Sequence, residues 1–182
     1  MNPNDAGTNR ELINAVMETL RQGECLLEAM DNDAYTRKLA AAFDASIGGH
    51  VRHCLDHFHT LLQAVPAGDL NYDYRQRGTA VETDRLAALN VTRDLMDSYA
   101  QLDPLCVTRS LMVTCKTSYS ANGSQASPST VGREIMYAVA HAVHHYALIG
   151  IMGGIMGLRL PAGFGIAPST LKHQAEAARI AA

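Results

Sequence analysis

The chain has 182 residues, 47% of them apolar, and a formal charge of −3. That length suits one domain, spanning 1–182, with a core of its own. A mildly acidic chain without a basic patch argues against a nucleic-acid partner.

The four cysteines, Cys25, Cys54, Cys106 and Cys115, form no CxxC pair, so a disulfide framework is not expected. The N-terminus has no basic run and no apolar run, so no secretory signal is read there, and the cytoplasm is the expected compartment. Tryptophan is absent. The core must come from Leu, Ile, Val, Ala and Met.

In chain order, Thr8 and Glu11 fit a capping box. Leu12, Ile13, Val16, Met17, Leu20, Leu26, Leu27 and Met30 recur at helical spacing, which predicts a first helix over 9–30. Residues 31–45 read as an irregular connection, with a turn of helix around Lys38 to Phe43. Ser46 reads as the N-cap of a second helix that ends near Val65–Pro66. On it His50, His53 and His57 share a stripe with Cys54, Leu61 and Ala64. His59 lies off that stripe, and Arg52 and Asp56 are spaced to pair on the surface.

The segment 66–78 reads as a loop rich in binding groups: Tyr72, Asp73, Tyr74, Arg75 and Arg77. Tyr72, Asp73, Arg75 and Arg77 are candidates for holding a small-molecule substrate, since Arg grips carboxylates with two donors. Glu82, Thr83 and Asp84 open a third helix that stops before Pro104. Residues 105–120 are rich in β-branched side chains and read as a short hairpin or extended arm, and SANGSQASPS, with its Asn-Gly pair, reads as a turn-rich linker. Ser127–Pro128–Ser129 reads as the start of the fourth helix. Leu160–Pro161 breaks it, and Ser169 caps a last short helix to about Ile180.

The fourth helix contains Ile135–Leu158, with three histidines and no formal charge. His141 and His145 are four apart and project from one helical face, a spacing that lets two imidazoles reach one metal ion. His144 sits at the edge of that face. With a histidine from the second helix they form a three-nitrogen set, which leaves room for water or substrate. A closed structural site would take a fourth ligand from Cys54, His50 or His57. The competing readings are histidines satisfied by core hydrogen bonds, a membrane-spanning helix, and haem held between His53 and a helix-four histidine. Three imidazoles near mid-segment disfavour a membrane span. Gly150, Gly153, Gly154 and Gly157 read as a close helix–helix contact. The pair is HxxxH and not HExxH, so no general base is built into it. No Ser-His-Asp, P-loop or GxGxxG pattern is present.

The segments SIGGHVRHCLDH and AHAVHHYALIG, and the order of elements, resemble the DinB-like superfamily of metalloenzymes, which includes the YfiT-type bacterial proteins. NYDYRQRGTAVETD, GREIMYAVAHAVHHYALI and PAGFGIAPSTL resemble one of its subgroups. The resemblance implies an all-α four-helix bundle in up-down-down-up order, with irregular connections and a short C-terminal helix. It implies His53, His141 and His145 as ligands of a divalent metal, zinc or nickel. His50, His57 and His144 are then neighbouring or alternative groups. It further implies a homodimer and a metal-dependent transferase or hydrolase, of the kind that uses mycothiol or bacillithiol. The alternative is a non-catalytic metal-binding or dimeric interaction protein. Where many relatives carry Arg-Gly-Gln after the second histidine, this chain has Tyr146-Ala147-Leu148.

Overall fold

The computed structural model describes residues 3–74, 78–120 and 123–180. Four long helices dominate: α1 (Pro3–Glu28), α3 (Ile47–Ala67), α5 (Arg85–Ala100) and α6 (Val131–Ile155). α1 and α3 each pack against both α5 and α6. Short helices α2 (Asn32–Thr36), α4 (Ala80–Thr83) and α7 (Pro168–Ile180) fill the connections and the C-terminal end. Fully buried Leu20, Leu27, Tyr35, Phe58, Tyr99, Ile135 and Ile149 belong to one core.

The caps show why the helices begin where they do. Ser46 accepts from Gly49 N–H at 3.0 Å and starts α3. Asp84 accepts from Leu86 N–H at 2.8 Å and starts α5. The expected third helix is therefore two pieces, because Asp84 leaves helical geometry to cap the second. Asp31 caps α2 within the connection read as irregular. A single helical turn at Ala40–Ala42 does fall where one was expected. Thr8 does not cap α1, which already begins at Pro3.

The all-α expectation needs correction, because a three-stranded sheet packs beside the helices. Its strands are β1 (Asp69–Asn71), β2 (Ser110–Cys115) and β3 (Gln125–Thr130), in the order β1-β2-β3. β2 lies in the stretch read as a hairpin or arm and β3 in the one read as a linker; they pair antiparallel, with Met112 opposite Pro128. β1 comes from the segment read as a loop and runs parallel to β2, with Leu70 opposite Val113. Ser127–Pro128–Ser129 lies in β3 and not in a helix. An edge strand tolerates proline, since its outer side needs no donor. Thr130 is the actual cap of α6, accepting from Arg133 N–H at 3.2 Å.

α6 ends before Leu160–Pro161. Gly157 takes φ +70°, and Leu158 N–H bonds Gly153 carbonyl at 2.9 Å, the six-to-one closure of a Schellman cap. Among the described residues, the four glycines do not mark a helix–helix contact. Gly153 admits Leu160 of the tail, Gly157 is the cap, and Gly150 and Gly154 face open space. α7 begins at Pro168, with Thr170 and Leu171 N–H bonding Ala167 carbonyl, so Ser169 lies inside the helix. By length and composition α6 could cross a membrane, but here it packs against α1 and α3.

Candidate metal centre

The centre lies between α3 and α6. His53 Nε2 meets His141 Nε2 at 2.8 Å, and His50 Nδ1 meets His145 Nδ1 at 2.8 Å. As α3 advances from 50 to 53, its partner on α6 falls from 145 to 141, so the two helices run antiparallel here. The three rings of His53, His141 and His145 converge, with centroids 4.9, 4.6 and 4.6 Å apart. One ligand atom from each lies within 4.8 Å of the others. A tetrahedral zinc with nitrogens at ~2.0–2.1 Å sets its ligand nitrogens roughly 3.3 Å apart. The observed 2.8 Å contact and 4.8 Å limit bracket that value.

The donor set is imidazole only, which suits zinc, nickel, copper or iron rather than magnesium or calcium. All three rings are half-buried. Burial, with the neighbouring histidines, pushes the His145 pKa down to about 4. It is therefore neutral near pH 7, the form that donates a lone pair to a metal. The residues present fit a divalent cation.

The other candidates are placed differently. His50 meets His145 at Nδ1 and is outside the three-atom group. His57 is buried; its Nδ1 lies 2.9 Å from the His53 carbonyl, and its ring tilts against His141 at 4.3 Å. Because a carbonyl only accepts, His57 Nδ1 carries the proton. His144 is exposed, edge-on to His145 at 5.5 Å. Cys54 is 1% exposed and is not in the group; burial pushes its thiol up to about 12. His59 is exposed and pairs with Gln63 at 2.9 Å. Arg52 bonds Asp56 at 2.8 Å and also Glu82 at 3.0 Å, tying α3 to α4.

Of the loop candidates, Tyr72 stacks on His57 at 5.0 Å and donates its hydroxyl to Glu134 at 2.9 Å. Its side chain is part of the wall of the cluster. Asp73 is exposed and accepts from Ser124 at 3.0 Å. Arg75 and Arg77 lie outside the described residues.

Glu134 is the residue that sequence reasoning missed. It is 1% exposed and accepts from Tyr72, from Ser129 at 2.6 Å and from Arg133 at 3.0 Å. Tyr72 follows β1, its N–H bonding Thr114 carbonyl of β2, and Ser129 belongs to β3. The small sheet thus joins the base of α6 to the ring stack Tyr72–His57–His141. A signal was available: Glu134 is seven residues before His141 and eleven before His145, on the same helical face. Tyr137 stacks over His141 at 5.6 Å, and Arg133 lies 5.4 Å above Tyr137.

No family model matches the chain. Among solved structures, a DinB-like protein of Bacillus subtilis, YjoA, aligns with a TM-score of 0.58 at 19% identity, over 83% of this chain and 96% of that one. At that identity the likeness is one of fold. Among curated proteins, FK506-binding protein 5 of Rhizopus delemar is 35% identical over 104 residues, 57% of this chain. The chain spans 27% of that relative's length.

Proposed function

From the premise that the chain has the DinB-like fold, we propose that it is a divalent-metal-dependent enzyme whose ligands are His53, His141 and His145. The observation that carries this reading is the approach of those three ligand atoms to within 4.8 Å of one another. Three protein donors leave a coordination position for a small molecule, as in catalytic rather than structural zinc sites. Zinc or nickel is the proposed metal. When bound, such an ion would supply Lewis-acid activation, and the proposed reaction class is transfer of a thiol to an electrophile.

The protein's own part is rigid placement. α6 holds two donors one turn apart, and α3 brings the third across the seam. Arg133, whose side chain is 64% exposed beside Tyr137, supplies a cation near the rings that suits an anionic substrate. We also read the four long helices as an up-down-down-up bundle. A homodimer through the open end of α6 is part of the proposal: Ile151 and Ile155 are 63% and 57% exposed there, beside the uncovered Gly150 and Gly154. A monomer by light scattering would remove the dimer and leave the metal reading standing.

Elemental analysis of the untagged protein tests the centre, run beside His53→Ala and His141→Ala. About one equivalent of zinc or nickel in the wild type, lost in both variants, is the expected result. A wild type that takes up no metal after reconstitution would overturn the proposal.

A further inference from the structure

We infer that His50 is the positioning residue of the centre. It accepts the Nδ1 proton of His145 and so holds that ring in the tautomer whose Nε2 keeps a lone pair. The inference rests on the metal reading above and deepens it.

The two Nδ1 atoms are 2.8 Å apart, with ring centroids 5.1 Å apart and planes tilted by 44°. Two neutral imidazoles at that distance share one proton between those nitrogens. The direction of the bond decides what His145 can do. If His50 donated, His145 would carry its own proton on Nε2, and that nitrogen could not ligate. If His50 accepts, His145 Nε2 is left as a donor. The Nδ1 of His145 is committed to His50 either way, so Nε2 is the atom left to offer a metal.

His50 itself is outside the three-atom group and meets His145 through Nδ1. One turn of α3 therefore supplies both a ligand, His53, and the partner of another ligand. Metal-bound histidines usually donate their second N–H to a carboxylate, a carbonyl or water. Here the acceptor is an uncharged ring. It orients His145 without adding negative charge, so the ligand set stays neutral and a bound dication keeps its full charge.

Zinc alone is the probe, its affinity measured by competition with a chromophoric chelator for wild type, His50→Leu and His50→Asn. Asn places an acceptor oxygen at about the position of Nδ1, whereas Leu places none. Affinity should fall roughly 10- to 100-fold in His50→Leu and stay within about threefold in His50→Asn. Side-chain nitrogen NMR of the metal-free wild type should show His145 protonated on Nδ1 and His50 on Nε2. This second measurement stands even where a variant fails to fold.

Wild-type affinity in His50→Leu would overturn the inference alone. An equal loss in both variants would also overturn it, by making the His50 ring itself a ligand. A proton on His145 Nε2 would do the same. A wild type that binds no zinc would overturn both this inference and the function it rests on.

Discussion

Two neighbouring sets of residues on α6 hold the helix by different means. One set is Ala138, Ala142, Tyr146, Ile149 and Met152, all 0–2% exposed. It is fixed by volume. Tyr146 stacks on Phe164 at 4.9 Å, and a Cβ at Gly23 would come within 2.5 Å of its hydroxyl oxygen. Gly165 takes φ +72° against the Tyr146 backbone, where a Cβ would lie 2.6 Å away. The other set is His141 and His145, half-buried and held by ring contacts and hydrogen bonds. The packed set anchors the helix, and the two histidines place polar nitrogens beside it. Stability and chemistry are thereby divided between two interleaved sets of residues on one element.

The division breaks most visibly at Tyr146. Tyr146→Ala should cost about 3–5 kcal/mol in urea unfolding, the range for emptying a large buried aromatic site. Zinc stoichiometry of the fraction still folded should be unchanged, because Tyr146 supplies no ligand atom. A parallel loss of zinc from folded molecules would show that the two sets are not independent.

The next largest effect is expected at Glu134, where the histidine face meets the sheet. Glu134→Ala leaves the buried Tyr72 hydroxyl and the Ser129 hydroxyl without their acceptor, a loss of roughly 2–3 kcal/mol. Tyr72→Phe removes one of those bonds and should cost about 1 kcal/mol. Its ring still stacks on His57, so zinc affinity should hold, whereas Tyr72→Ala removes the stack and should weaken zinc binding. Zinc titration of the two Tyr72 variants separates a hydrogen-bonded prop from a stacked one. Equal affinities would remove Tyr72 from the support of His57 and His141.

The same contrast governs what could be read from the sequence. The four long helices show their period over many turns, and Ser46 announces α3 through a local bond. β2 shows in β-branched composition, whereas β3 lies in the stretch read as a turn-rich linker. Pro128 misled, because a proline in a first helical turn and one on a sheet edge look alike locally. What decides is pairing with Met112, which lies sixteen residues earlier. Glu134 stands in the sequence only as a residue early in the fourth helix. Its role appears only when Tyr72 arrives from 62 residues away. His50 and His53 share one stripe, so only the antiparallel facing of α6 sets His53 against His141 and His50 against His145.

The smallest expected effect concerns Cys54, which neighbours His53 in sequence but points into the packed side. Its thiol is buried and held well above its usual pKa by that burial, at about 12, while Cys25 is exposed. A thiolate is the reactive form, and burial also blocks the reagent. A thiol-reactive dye should label Cys25 rapidly in the folded protein and reach Cys54 only on unfolding. If Cys54 completed a closed metal site, chelation would expose it and zinc would protect it. With three histidines alone, adding or removing zinc should leave Cys54 labelling in the folded state unchanged. The packed core and the histidine cluster would then be separated by a single residue step along α3.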